Sequence, residues 1–243
     1  MKKNQRSQLI FWDWTGTLAD ESRLDQAVCS EIEKAIATRH RLSLDKAARL
    51  FRDYLKSLEN TWEWHDYVRH SQKFGLPWKK FQRLHLDKLC LLPQAKEILF
   101  WSKKMGYRNI LATNAVRKVV TLRLNYLKIQ PLFEAIITSD DVSSLKESGL
   151  HFEHGLKLFA AKPADCFSVG DNPVQDIASA HRLGLKTIYC AFGQNLTHYH
   201  TSHLSSNRQE PVQADYTISS LLEVKEILDS IKIGKKSIGS RPK

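Results

Sequence analysis

Apolar and polar residues change their spacing twice along this chain. Leu9–Trp12 is a short apolar run that stops at a polar, turn-forming cluster beginning with Asp13. That pattern predicts a buried parallel strand. From Ala19 to about Cys90 the apolar residues recur at helical spacing, as in Leu24, Ala27, Val28, Ile32, Ala35 and Ile36. Ser43 is placed to cap a second helix running toward Leu58, and Trp62–Phe74 reads as a third. Pro77 suits the first turn of a fourth helix ending near Leu89. No strand is predicted in this stretch, so it reads as an all-helical insert.

After Leu92 the pattern alternates. Helices are predicted over Gln94–Lys104, Val116–Leu127, Phe152–Ala160 and Val174–Leu183. Strands are predicted over Asn109–Thr113, Phe133–Thr138, Cys166–Gly170 and Lys186–Ala191. Such alternation implies right-handed βαβ units. The expected class is α/β, a three-layer Rossmann-like parallel sheet interrupted by the helical insert. Gly193–Gln213 is polar and aperiodic and reads as a long loop; a strand and a helix resume over Ala214–Ile231. Ligands of open parallel sheets bind at the carboxyl ends of the strands. Asp13, Thr113 and Asp171 each end a predicted strand, so all three should meet at one edge.

Composition narrows the class without naming a chemistry. The chain has 243 residues, 42% of them apolar, enough for a sizeable core. No apolar run approaches the ~20 residues that span a bilayer. The basic segment Met1–Gln8 precedes too short an apolar run for a signal peptide, so a cytoplasmic protein is expected. Cys29, Cys90, Cys166 and Cys190 lie far apart, which argues for reduced, mostly buried thiols. The net charge of +11 is concentrated at the ends. Lys2, Lys3 and Arg6 stand at one, and Lys232, Lys235, Lys236, Arg241 and Lys243 at the other. Solvated tails explain this more simply than a nucleic-acid surface, because no nucleic-acid motif accompanies them. His198, His200 and His203 have a spacing that could bind a transition metal, but a simple exposed loop is the preferred reading.

Four segments carry candidate chemistry, and each has a plainer reading. In Asp13-Trp14-Thr15-Gly16-Thr17-Leu18, a carboxylate at the end of a buried strand could attack phosphorus or could simply cap a turn. Thr113 and Asn114 could bind phosphate beside a helix start, or cap that helix. Lys146 could neutralise a nucleophile and a phosphate together, or be an ordinary surface lysine. In Gly170-Asp171-Asn172-Pro173-Val174-Gln175-Asp176, the two acids suit a hard cation such as Mg²⁺, or complement a helix dipole.

Taken together and in this order, the four segments resemble the motifs of the haloacid dehalogenase-like superfamily over about Leu9–Leu228. The first is similar to Asp13-x-Thr15-Gly16-Thr17-Leu18, the second to Thr113 after an apolar strand, the third to Lys146, and the fourth to Gly170-Asp171-x₄-Asp176. The resemblance implies a core of residues 1–18 and 91–231 with a helical cap over 19–90; the basic stretch 232–243 reads as a disordered tail. The resemblance further implies a Mg²⁺-dependent phosphatase that acts through an aspartyl-phosphate at Asp13 on a small phosphorylated metabolite. Mg²⁺ would be held by Asp13, the Thr15 carbonyl and Asp171, with Asp176 supporting the metal or Lys146. Thr113, Asn114 and Lys146 would hold the phosphoryl oxygens.

One position departs from that pattern. Phosphatases of this kind carry a second aspartate two residues after the nucleophile, to protonate the leaving group and activate water. Here that residue is Thr15, as in the signature of P-type ATPases. A hydroxyl is a poor acid-base group near neutrality, and losing such catalysis costs ~10²–10⁴ in rate. Good leaving groups, a proton from His65 or His85, or weak activity are the three consequences. A haloacid dehalogenase is the competing enzyme, disfavoured by the acids at 171 and 176. A phosphonate hydrolase fits less well, and a weakly catalytic binding protein is the non-enzymatic alternative. The aromatic cluster Trp62, Trp64, His65, Tyr67 and Trp78 packs the insert or walls a substrate site.

Overall fold

The computed structural model describes residues 8–192 and 213–238. Its centre is a six-stranded parallel sheet built from β1 (Leu9–Trp12), β4 (Arg108–Thr113), β5 (Ala135–Thr138), β6 (Phe167–Gly170), β7 (Lys186–Cys190) and β8 (Tyr216–Ile218), in the order β5-β4-β1-β6-β7-β8. β1 lies in the middle and is wholly buried. Because side chains alternate across a strand, Leu9 and Phe11 enter one apolar layer with Phe152 and Leu156. Ile10 and Trp12 enter the opposite layer with Leu99, Val120 and Val224. Helices α5 (Ala95–Lys104), α6 (Arg117–Tyr126), α8 (Leu150–Leu158) and α10 (Glu223–Ile238) flank the sheet to give three layers, and the short α7 (Ser139–Val142) follows β5. This is the expected α/β class.

Register sets the functional edge. Trp12 pairs with Leu111 on one side and Val169 on the other. The next residue, Asp13, donates its backbone N–H to the Val169 carbonyl at 2.9 Å. Asp13 therefore emerges level with Ala112 and Gly170, just before Thr113 and Asp171. A buried polar hub beneath the sheet helps fix this level. Asn109, in β4, accepts from Trp12 Nε1 at 2.9 Å and Ser102 Oγ at 2.7 Å, and donates to the Leu99 and Leu132 carbonyls.

The insert contains α1 (Ser22–His40), α2 (Leu44–Lys56), α3 (Tyr67–Lys73) and α4 (Trp78–Leu84). Several details differ from the sequence reading. The stretch 19–90 is not strand-free at its ends. β2 (Ala19–Asp20) pairs antiparallel with β3 (Cys90–Leu91), bringing the exit and return of the chain side by side. Trp62–Phe74 is not one helix. A 3₁₀ turn, Trp62–His65, ends at Asp66, whose carboxylate accepts from Arg69 N–H at 2.9 Å and starts α3 anew. Pro77 stands at the N-cap rather than in the first turn, and α4 gives way at His85 to a second 3₁₀ turn, Leu86–Lys88. Ser43 occupies the N-cap of α2 but makes no side-chain capping bond.

In the core, Val174–Leu183 is split into a π-helical turn, Pro173–Ala178, and the short α9 (Ser179–Arg182). The basic tail does not begin as a coil: α10 runs through 232–238 to Ile238, since extending a formed helix costs far less than starting one. Residues 1–7, 193–212 and 239–243 lie outside the described residues, so the expectations for the loop over 193–212, its three histidines and the basic residues Lys2, Lys3, Arg6, Arg241 and Lys243 fall there. Among the described residues no helix is long and apolar enough to cross a membrane. Cys29, Cys166 and Cys190 are buried thiols and Cys90 is an exposed one.

Candidate active site

The chain packs an ionic cluster at the carboxyl edge of the sheet. Lys146 opens a 3₁₀ turn, Lys146–Ser148, and is only 1% exposed. Its ammonium bonds Asp13 Oδ1, lies 2.5 Å from Asp176 Oδ1, and donates to the Ala112 carbonyl at 3.3 Å. So the surface-lysine reading fails. A buried ammonium is costly unless paired, and here two carboxylates take it. Burial alone would depress the Lys146 pKa, but the charges of Asp13 and Asp176 outweigh it and hold the ammonium protonated. Burial raises Asp13, and the Asp171 charge adds to the rise while Lys146 opposes it. Burial, then the charge of Asp13, likewise raises Asp176.

Asp13, Asp171 and Asp176 each offer an oxygen, and these oxygens lie within 4.8 Å of one another. Two carboxylates at that separation repel by about 3 kcal/mol at an effective dielectric near 20. One lysine cannot neutralise three of them. An all-oxygen set with surplus negative charge fits a hard dication such as Mg²⁺ and does not suit a soft metal.

Local structure holds each acid in place. Gly16 follows the Asp13 strand with φ 86°, a left-handed turn that glycine enters without strain. Asp176 is fixed on both oxygens, with Oδ1 on Lys146 and Oδ2 accepting from the Asn172 N–H at 2.9 Å. Asn172 Oδ1 caps the π turn by accepting from the Val174 and Gln175 N–H groups. Gly170 is required for this packing: a Cβ there would lie 2.2 Å from Asp176 Cγ.

Thr113 does not cap α6, which starts at Arg117. Its hydroxyl accepts from the Ala115 N–H at 3.1 Å. The Asn114 side chain is a brace: Nδ2 donates to Gln175 Oε1 at 3.0 Å, and Oδ1 accepts the Lys146 N–H at 2.8 Å. His151 is fully buried behind them, its Nε2 3.2 Å from the Thr113 carbonyl, and burial followed by the Lys146 charge drives its pKa down to about 3.

A second ionic cluster joins the insert to the core, and the sequence reading missed it. Glu21, 3% exposed, accepts from Trp14 Nε1 at 2.5 Å, Thr15 Oγ1 at 2.7 Å and Arg123 Nη1 at 2.5 Å. Arg123 also reaches Asp25 at 2.7 Å and Gln82 Oε1 at 3.0 Å, and lies under the Tyr67 ring at 5.5 Å. The available signal was a charged residue on the apolar face of α6, between Val119, Val120 and Leu124. Of the two histidines considered as proton sources, His65 closes the first 3₁₀ turn and His85 Nε2 stands 3.9 Å from Glu31 Oε1. Trp62, Trp64 and Trp78 are half-buried against the main core. An open groove of about 600 Å³ separates Asn60, Trp62 and Glu63 of the insert from Ser144, Glu147 and Val174 of the core.

Comparison with known proteins agrees with this geometry. A family model for haloacid dehalogenase-like hydrolases matches residues 8–184, and a second, HAD-hydrolase-like, matches 146–224. The chain is 25% identical over 234 residues to the glyceraldehyde 3-phosphate phosphatase of Pyrococcus furiosus, covering 93% of this chain and 94% of that one. It is 34% identical over 85 residues to the pyrophosphatase PpaX of Bacillus cereus, covering 35% of this chain and 39% of the relative. A HAD phosphatase from Thermococcus onnurineus has the same fold, with TM-score 0.76 at 22% identity over 91% of this chain and 97% of that one. A 2-haloacid dehalogenase from Pseudomonas syringae follows at TM-score 0.64 and 15% identity, over 92% and 99%.

Proposed function

The chain belongs to the haloacid dehalogenase-like hydrolases, and from that premise we propose that it is a Mg²⁺-dependent phosphatase acting on a small phosphorylated metabolite in the cytoplasm. The observation that carries the reading is the cluster of Asp13, Asp171 and Asp176 around a single buried lysine. A dehalogenase acting on a carboxylate substrate has no use for that surplus charge, which would repel the substrate.

Asp13 and Asp171, with the Thr15 carbonyl, would hold Mg²⁺, and Asp176 serves chiefly by fixing Lys146. Bound there, Mg²⁺ supplies positive charge that offsets the phosphoryl oxygens. Asp13, held at the strand end by its N–H bond to Val169, attacks phosphorus in line. Lys146 stays protonated and balances the charge of Asp13 and the phosphoryl group together. Thr113 contributes its hydroxyl to a phosphoryl oxygen. Asn114 contributes only through its backbone, because its amide already braces Lys146 and Gln175. Water then cleaves the aspartyl-phosphate. The helical insert acts as the cap that closes over the site, with the groove at its seam beside the Lys146 turn.

The decisive measurement is phosphate release from p-nitrophenyl phosphate, with and without EDTA, beside a panel that includes glyceraldehyde 3-phosphate and pyrophosphate. Turnover that needs Mg²⁺ and falls by about 10⁴-fold or more in Asp13→Asn is the expected result. Chloride release from a haloacid, insensitive to EDTA, would instead establish the dehalogenase. No turnover on the whole panel would favour a binding protein.

A further inference from the structure

We propose that Glu21 holds the Thr15 hydroxyl proton away from the transferring phosphoryl group, and so selects substrates whose leaving oxygen departs as a stable anion, acyl phosphates above all. The inference rests on the phosphatase reading above. Glu21 gathers three donors: the Trp14 indole and the Arg123 guanidinium on Oε1, and Thr15 Oγ1 on Oε2. A carboxylate paired with a guanidinium only accepts, so Thr15 must donate. The next hydroxyl on the same turn, Thr17 Oγ1, is 3.3 Å from Asp171 Oδ1 and donates there. The Thr15 proton is thus directed to the insert and the Thr17 proton onto a carboxylate of the site, and neither is left for a leaving group. What remains on Thr15 for the site is its oxygen lone pairs. An alkoxide leaving from an alkyl phosphate needs a proton that this hydroxyl does not give, whereas a carboxylate leaving from an acyl phosphate needs none.

The steps balance without such a proton. An Asp13 oxygen bonds to phosphorus as the bond from phosphorus to the substrate carboxylate breaks, and the electron pair leaves on that carboxylate. Water oxygen then bonds to phosphorus while the Thr15 oxygen accepts a hydrogen bond from it. The bond to Asp13 breaks, its electron pair restores the Asp13 carboxylate, and both water protons leave on dihydrogen phosphate, one having passed to a phosphoryl oxygen. Glu21 is accordingly a positioning residue that acts through Thr15.

The test is the dependence of kcat/KM on leaving-group basicity. The series runs from acetyl phosphate through aryl phosphates of graded acidity to glycerol 3-phosphate. The full-length wild type should fall by ~10²–10⁴-fold across it, the usual size of acid catalysis. Thr15→Val should keep that slope whatever its absolute rate, because the hydroxyl was not donating. Glu21→Gln should flatten it in part, because a freed hydroxyl gives the leaving oxygen a hydrogen bond though not its proton, and an unchanged slope in the folded variant would overturn the inference. Arg123 holds the amide oxygen in the Oε1 position, which turns the amide NH₂ toward Thr15 and frees the hydroxyl proton. A purely structural loss would lower every substrate alike. If Glu21→Gln fails to fold, Thr15→Val still tests the inference, because removing a hydroxyl that had been donating would steepen the slope. Equal wild-type rates on acetyl and glycerol phosphates, or a steeper slope in Thr15→Val, would overturn the inference and leave the phosphatase reading standing. Absence of Asp13-dependent turnover on every substrate would overturn both.

Discussion

Two buried ionic clusters meet at the turn after Asp13 and differ in what they do. Around Asp13 one ammonium faces three carboxylates; burial and the Asp171 charge push the Asp13 pKa up, and burial and the Asp13 charge do the same for Asp176. Around Arg123 one guanidinium meets Glu21 and Asp25, with the Gln82 amide, the Trp14 indole and the Thr15 hydroxyl completing the network. Both are buried, so burial alone does not distinguish a reactive cluster from a structural one. Charge balance and saturation do. The first holds surplus negative charge that a bound cation would relieve. The second is closer to neutral and hydrogen-bonded nearly throughout, and it ties α1 and α4 of the insert to α6 of the core. Glu21 belongs to the second cluster but touches the turn that carries the first.

The contrast can be broken most forcefully at Arg123. Arg123→Leu should cost about 3–5 kcal/mol, because it strands Glu21 and Asp25 without a partner. Asp13→Asn should leave stability nearly unchanged, since Lys146 keeps Asp176. Urea unfolding of both variants checks this, and equal losses would erase the distinction between the clusters.

A titration inside the insert sharpens it next. His70 is fully buried, its ring edge-on to Phe51, Tyr54 and Tyr67, with Nε2 2.8 Å from the Trp64 carbonyl. Burial lowers its pKa from 6.5 to about 4. The folded state therefore keeps His70 neutral while the unfolded state takes up a proton below 6.5, so stability is full above that pH and falls as pH drops toward 4. The loss is of order 3 kcal/mol. Melting temperature followed against pH should show it in wild type and show a smaller acid loss in His70→Phe. The smallest effect is expected at Gly170→Ala. The new methyl displaces Asp176, loosens Lys146 and costs about 1–3 kcal/mol, with kcat falling more than stability does. Unchanged kcat would mean that Asp176 does not need its present position.

The site was readable where residue type and strand end coincided. Asp13, Thr113 and Asp171 follow short apolar runs in an alternating pattern, and parallel sheets gather such ends at one edge. Lys146 was readable only through its resemblance to a motif, since a lysine in a polar stretch looks like surface until the carboxylates that bury it are in place. Arg123 was not readable as a tie, because its partners come from positions 21, 25 and 82. Pairing over about a hundred residues leaves no local period. The helix breaks at Asp66 and His85 were missed for a related reason: capping and turn geometry interrupt a spacing that still looks helical.

The sequence by itself determined the alternation of strand and helix, the α/β class and the order of the four polar segments, because these depend on periodicity and on what lies near in the chain. Tertiary structure alone decided which charges became buried neighbours, how the Asn114 amide was used, and which way the Thr15 proton points. Those outcomes depend on desolvation and on partners from distant segments, and neither exists until the sheet and the insert have packed.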